Sequence, residues 1–252
     1  MFERIARTFE GTTAVVIGAG GIGAEIVRQL VGNVAKLVVA DQNDQLLSSL
    51  LCQHGASKLF VHNLDVGDAS AVATFFAELD ATVGSPDLLF YTAGILNIES
   101  LAELSAEKWQ KTVQVNLNGA YFCVQAAADR MQKQKRGSII VLGSIAGTKA
   151  RSGSRVNPVY NATKAALAAF VNGAAMQFRP HGIRINCISP GPTATPMMNL
   201  QPAQVHAAVS EMTLDGRMND PAEVAELALF VAGHGRFTGE EICMGGGAGL
   251  GG

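Results

Sequence analysis

Tyr160 and Lys164 stand four residues apart, a spacing that puts both side chains on one face of a helix. A free phenol has a pKa of about 10 and is a poor base near neutrality. Bringing it to about 7.5 takes roughly 3.4 kcal/mol of preferential stabilisation of the phenolate. A close ammonium and a second positive charge in a dry cleft are groups of the kind that supply it. Ser144 lies just past the apolar run Ser138–Leu142, where its hydroxyl can hydrogen-bond a substrate oxygen as charge develops there. Asn116, within Val115-Asn116-Leu117-Asn118-Gly119, is a polar residue inside an apolar helical stretch and needs a partner or a function. Together these four side chains suit proton exchange with an oxygen atom.

Positioning them requires a scaffold, and the chain spells one out. Apolar runs at Thr13–Ile17, Lys36–Ala40, Leu59–Leu64, Asp87–Tyr91, Ser138–Leu142, Ile183–Ile188 and Glu241–Met244 are rich in Val, Ile and Leu without polar alternation. Strands buried on both faces have this composition. Helical stretches lie between them: Ala24–Val31, Ala69–Leu79 with Asp68 as its cap, Trp109–Arg130, Tyr160–Phe178 and Val224–Val231. The last is preceded by Asp220-Pro221-Ala222-Glu223, a cap, a first-turn proline and a capping-box acid. In the stretch 109–130 the pattern places Trp109, Val113, Leu117, Ala120, Tyr121 and Val124 on one stripe. The expected fold is α/β and Rossmann-type: a doubly wound, mainly seven-stranded parallel sheet with helices on both faces. A single domain over residues 1–252 is expected, ending in the glycine-rich tail Gly245–Gly252.

Gly18-Ala19-Gly20-Gly21-Ile22-Gly23 carries G-x-G-x-x-G between the first strand and the first helix. The pattern alone is weak in a chain with 28 glycines. Its place matters more, because backbone N–H groups at a helix N-terminus can hold a pyrophosphate where missing Cβ atoms allow close approach. Asp41 ends the next strand, where a carboxylate can accept from both ribose hydroxyls and repel a 2′-phosphate. No Arg or Lys in the loop or just after Asp41 offsets that charge, so NAD is favoured over NADP. Asp65, with Val66 beside it, is placed to meet adenine, although a turn-forming aspartate would look the same. Ala93 and Gly94 after the fourth strand let backbone lie against the cofactor.

With 19 basic and 21 acidic residues the formal charge is −2, with no block of like charge. Nucleic acid or a membrane surface held by bulk electrostatics is therefore not expected as a partner. Cys52, Cys123, Cys187 and Cys243 form no C-x-x-C pair, so neither a metal site nor a disulfide framework is expected. Met1–Glu10 lacks an apolar stretch of signal-peptide length, and no run of 18 apolar residues occurs, so a cytoplasmic protein is expected.

In joint order and spacing, Gly18–Gly23, Asp41, Asp65, Ala93-Gly94, Asn116, Ser144, Tyr160-x-x-x-Lys164 and Pro190-Gly191 resemble the short-chain dehydrogenase/reductase family over nearly the whole chain. The resemblance implies a hydride exchange between nicotinamide and the secondary alcohol or ketone of a small molecule. Tyr160 would be the general acid/base and Ser144 would position the substrate oxygen. Lys164 would bind the nicotinamide ribose and lower the tyrosine pKa, with Asn116 holding a relay water. Backbone after Pro190-Gly191, with Thr193 or Thr195, would meet the carboxamide. It also implies a lid over the substrate at about 193–218, in which Met197 and Met198 would either face an irregular apolar ligand or fill ordinary core gaps, and Leu96, after the fourth strand, could form another wall. The resemblance also implies a homo-oligomer, a dimer or tetramer, through the helices 109–130 and 160–178.

Several positions depart from the family pattern. The glycine loop is one residue short, with Ile17 where threonine is common. Tyr91-Thr92-Ala93-Gly94 replaces N-N-A-G, and Met244-Gly245-Gly246 replaces V-D-G-G. Fifteen residues separate Ser144 from Tyr160, more than is usual, and Thr148–Asn157 holds Lys149, Arg151 and Arg155. These cations could meet an anionic group on the substrate or form a solvated loop. Two other activities compete with NAD-linked alcohol oxidation: an NADPH-dependent 3-oxoacyl or other carbonyl reductase, and a dinucleotide-binding regulator without turnover.

Overall fold

The computed structural model describes residues 8–55, 57–97, 99–148, 158–199 and 210–248. Strands β1 (Thr13–Ile17), β2 (Lys36–Asp41), β3 (Leu59–Asn63), β4 (Leu88–Tyr91), β5 (Gly137–Leu142), β6 (Ile183–Pro190) and β7 (Glu241–Met244) are the seven expected runs. All pair in parallel, in the order β3-β2-β1-β4-β5-β6-β7. Alternate residues of β1 feed two separate cores: Val15 and Ile17 one, Ala14 and Val16 the other, all fully buried. Burial on both faces is why these strands read as continuous apolar runs.

On one face lie α1 (Ile22–Leu30), α2 (Asp44–His54) and, beyond β6, α9 (Pro221–Gly233). The other carries α3 (Ala69–Thr82), α5 (Gly119–Gln134) and α7 (Pro158–Phe178). The caps act as their residue types dictate. Asp68 accepts from the amides of Ser70 and Ala71, and Asp220 with Glu223 closes a capping box. Sequence reading missed α2, whose mixed polar surface hides its period. Its one clear signal was Asn43, which caps it by accepting from Gln45 and Leu46.

The stretch expected as one helix from Trp109 is α4 (Ala106–Val113), a π-turn over Gln114–Asn118, and then α5. A π-turn adds a residue and rotates everything after it out of phase. The expected stripe therefore fails at Trp109 and Tyr121, which are 42% and 44% exposed, while Val115, Ala120 and Val124 are buried. Two short helices, α6 (Ile145–Thr148) and α8 (Pro196–Asn199), follow β5 and β6.

Register fixes the site. Ile17 pairs with Ala40 and Tyr91, Tyr91 with Val141, and Leu142 with Ile188. The residues that follow, Gly18, Asp41, Thr92 and Gly143-Ser144, thus share the carboxyl edge of the sheet. The strand order reverses between β1 and β4, and ligands of such sheets bind at that crevice.

Candidate active site

The glycine turn is shaped by what its members lack. Gly18 has φ +105°, and a Cβ there would come within 2.7 Å of the Ala93 amide nitrogen. Gly21, the N-cap of α1, has φ +48°, and its Cβ would press on Thr195 at 3.0 Å. A Cβ on Gly23 would enter the Gly18 carbonyl. Gly20 differs: it is exposed, and its Cβ would meet only Leu46 at 3.7 Å. Three glycines are thus required by the turn itself, whereas the fourth leaves open space over the end of α1. No side chain caps that helix. An open cradle before uncapped amides fits a pyrophosphate.

Asp41 braces the turn. Its Oδ2 accepts from the Ala19 amide (2.7 Å) and its Oδ1 from Asn43 (2.8 Å). A carboxylate offers about four acceptor positions, so capacity remains for two hydroxyls. Asp65 makes the turn that any aspartate could, accepting from Gly67 at 2.8 Å, and lies 3.4 Å from the Lys111 ammonium. Val66 sends its side chain into the core.

Ser144, Tyr160, Lys164 and Asn116 come together beside this turn. Tyr160 and Lys164 occupy successive turns of α7, with Nζ 5.7 Å from the centre of the Tyr160 ring. Ser144, just beyond β5, is hydrogen-bonded to Tyr160. Lys164 is buried and donates to the Leu142 carbonyl at 2.7 Å. Asn116 is fully buried: its Oδ1 accepts from the Ile95 amide (2.8 Å), while its Nδ2 donates to the Ile95 carbonyl (3.0 Å) and to Thr163 Oγ1 (3.3 Å). Gly94 leaves room between the last two groups; a Cβ there would be 3.4 Å from Asn116 Oδ1 and 3.7 Å from Lys164 Nζ.

The electrostatics correct one expectation. Burial raises the Tyr160 phenol above its ordinary value, and the Ser144 hydrogen bond only partly opposes this. Lys164 does not figure among the causes that move the phenol, and burial brings Lys164 itself down to about 8. Desolvation disfavours the charged form of both groups, so the lysine alone does not make the phenol acidic.

At two of the departures from the family pattern the chain makes hydrogen bonds of its own. Thr92, read from the sequence only as a small residue at the end of the fourth strand, hydrogen-bonds through its hydroxyl to the carbonyls of Ile17 (3.0 Å) and Gly18 (2.9 Å), tying β4 to the glycine turn. Its position opposite the end of β1 was the signal. At the other end, Asn219 donates to the Met244 carbonyl at 3.0 Å, which also accepts from Gly191 at 2.8 Å. Pro190 ends β6, and Thr193 accompanies Gly191 through a 2.9 Å bond to its carbonyl. Thr195 lies against Gly21. Leu96 and Met198 are half-buried and Met197 is 38% exposed. Arg151 and Arg155 lie outside the described residues, as do parts of the expected lid and tail.

A family model described as enoyl-(acyl carrier protein) reductase matches residues 17–249. The chain is 32% identical over 254 aligned residues to 2,5-dichloro-2,5-cyclohexadiene-1,4-diol dehydrogenase of Sphingobium indicum, covering 98% of this chain and 100% of that one. It is 34% identical over 246 residues to 3-alpha-(or 20-beta)-hydroxysteroid dehydrogenase of Mycobacterium tuberculosis, covering 94% and 89%. A crystal structure of a short-chain type dehydrogenase/reductase from Mycobacterium marinum superposes with a TM-score of 0.91 at 26% identity, over 99% and 100% of the two chains. The chain therefore belongs to the short-chain dehydrogenase/reductase family and is an oxidoreductase that interconverts alcohols and carbonyls with a nicotinamide dinucleotide.

Proposed function

We propose that the chain oxidises a secondary alcohol borne on a ring, using NAD, with Tyr160 as the acid–base group. One observation carries the chemical part: the Tyr160 hydroxyl, bonded to Ser144, shares the sheet edge with Lys164 and the glycine turn. Tyr160 takes the substrate hydroxyl proton and Ser144 steadies the oxygen throughout. Lys164, poised near pH 8, returns a proton toward Tyr160 and holds the cofactor ribose. Asn116, locked on Ile95, keeps the relay on the far side of Lys164. When bound, an oxidised nicotinamide would supply the hydride acceptor and a positive charge near the Tyr160 phenol. In the reductive direction neutral Tyr160 protonates the forming alkoxide.

NAD rather than NADP is supported by Asp41 and by the absence of any Lys or Arg from Gln42 to Ser57. A ring alcohol is supported by the two curated relatives, whose names describe a cyclohexadiene diol and a hydroxysteroid. Rates with cyclohexanol and with its 4-carboxylate, each with NAD and NADP, test the reading. NADP preference would return the assignment to a carbonyl reductase. A preference for the carboxylate would support an anion-binding role for Arg151 and Arg155, and indifference to charge would remove it.

Residues 1–252 are read as one catalytic domain, with a lid near 193–218. Exposed Trp109, Tyr121 and Met176 on α4, α5 and α7 support a homo-oligomer, dimer or tetramer, which light scattering reads directly. Among the described residues no helix is long and apolar enough to cross a membrane; a cytoplasmic location is part of the proposed reading.

A further inference from the structure

Tyr91 ends β4 and is fully buried, yet it carries a hydroxyl that nothing in the acid–base cluster uses. That hydroxyl donates to the Val115 carbonyl at 2.6 Å. Val115 belongs to the π-turn. In a regular α-turn its carbonyl would accept from the Gly119 amide, four residues on. Here the Gly119 amide bonds to Gln114 instead. The widened turn thus diverts the donor that Val115 would have had, and the phenol supplies one from outside the helix. Gly119 completes the arrangement, because a Cβ there would sit 2.6 Å from the Tyr91 oxygen and 2.9 Å from Val66.

The next residue along is Asn116. Its side chain must point at Ile95 from both of its polar atoms at once, and the added residue of the π-turn sets that direction. We infer that Tyr91 is a positioning residue: its hydroxyl stabilises the π-turn that aims Asn116 at Ile95, next to Lys164. The outer side of the same turn is held separately, since Gln114 donates to the Gly67 carbonyl and accepts from Asn118 at 2.7 Å. The turn is therefore braced from β4 on its inner side and from the β3–α3 loop on its outer side. Tyrosine at position 91 makes a bond that a short amide side chain reaching from the same strand would be too short to make.

This inference rests on the acid–base reading above, so the test keeps the two apart. Tyr91→Phe removes one oxygen and keeps the ring in place. With cyclohexanol and NAD, Y91F should lower kcat about tenfold while leaving the KM for NAD within about twofold, as expected for a small misplacement of a relay group. Added to Asn116→Ala, it should cost less than about twofold more, because the bond acts through Asn116. Hydrogen exchange at Ile95 and Gln114–Gly119 should rise about tenfold in Y91F, with β1 and β5 unchanged. Wild-type kcat in Y91F, an undiminished tenfold loss in the N116A background, or failure of Y91F to fold would each overturn the assignment. Should Tyr160→Phe keep full turnover, the acid–base reading falls instead, and the exchange pattern alone decides whether Tyr91 holds the turn.

Discussion

The two halves of the sheet edge are built by opposite means. At the glycine turn, shape comes from atoms that are missing: Gly18, Gly21 and Gly23 allow backbone and side chains to approach where any Cβ would collide. At the acid–base cluster, shape comes from polar atoms that find partners within the protein: buried Asn116 on Ile95 and Thr163, buried Lys164 on Leu142, and half-buried Tyr160 on Ser144. The first kind of site fails sterically, by adding an atom. The second fails electronically, by removing one. Damage to the turn should therefore appear in folding and cofactor binding, and damage to the cluster in rate.

The largest effect expected is at the cluster. Tyr160→Phe should cut kcat by roughly a thousandfold, the middle of the range for a positioned acid–base group. Calorimetry should find NAD binding within about threefold of wild type. If binding collapsed along with rate, the two halves would not be separable in this way.

At the turn, Gly23→Ala should destabilise the protein by about 3 kcal/mol in urea unfolding, because the added carbon enters backbone that cannot move. Gly20→Ala is its control. Its Cβ faces open space, so stability should change by less than about 0.5 kcal/mol. NAD should nonetheless bind about tenfold more weakly as the cradle fills. Equal destabilisation by both would mean that the space over Gly20 is not reserved for a ligand.

Lys164→Met sharpens the comparison in a third way, by showing what the cluster costs. Burial moves the Lys164 ammonium from its ordinary value down to about 8, a penalty of roughly 3 kcal/mol. Losing the bond to Leu142 gives back about 1 kcal/mol. The inactive variant should therefore be about 2 kcal/mol more stable near pH 7. The folded lysine releases its proton near pH 8 and the unfolded one only near its ordinary value. Between those limits the unfolded chain binds more protons, so wild-type stability rises with pH and the gap closes. A gap that widened above pH 8 would contradict the burial argument.

Asp41→Asn gives the smallest shift. It should move the ratio of kcat/KM for NADP over NAD upward by about tenfold, through loss of repulsion toward a 2′-phosphate. Amide oxygen can still accept from Ala19, so the turn should keep its stability. An unchanged ratio would place cofactor choice elsewhere.

Much of this architecture was legible in the residues. All seven strands followed from apolar runs, because parallel strands buried on both faces have nowhere to put polar side chains. Tyr160 and Lys164 were readable from their four-residue spacing, Ser144 from its place just past an apolar run, and Asn116 as a polar residue in an apolar helical stretch. Helix α2 was not, since a surface helix with a mixed face has no strong period. The π-turn was invisible as well: hydrogen-bond slippage by one residue leaves no mark in composition. Its consequences, the exposure of Trp109 and Tyr121 and the bond from Tyr91 to Val115, were therefore out of reach. The rise in the Tyr160 pKa was missed for another reason. Spacing reports that an ammonium is near, but not that burial weakens both groups.

The most direct test is label transfer. Cyclohexanol deuterated at its carbinol carbon, incubated with wild-type protein and NAD, should yield cyclohexanone and reduced cofactor carrying the deuterium. Reduced cofactor without the label, or none formed from any ring alcohol, would contradict the account.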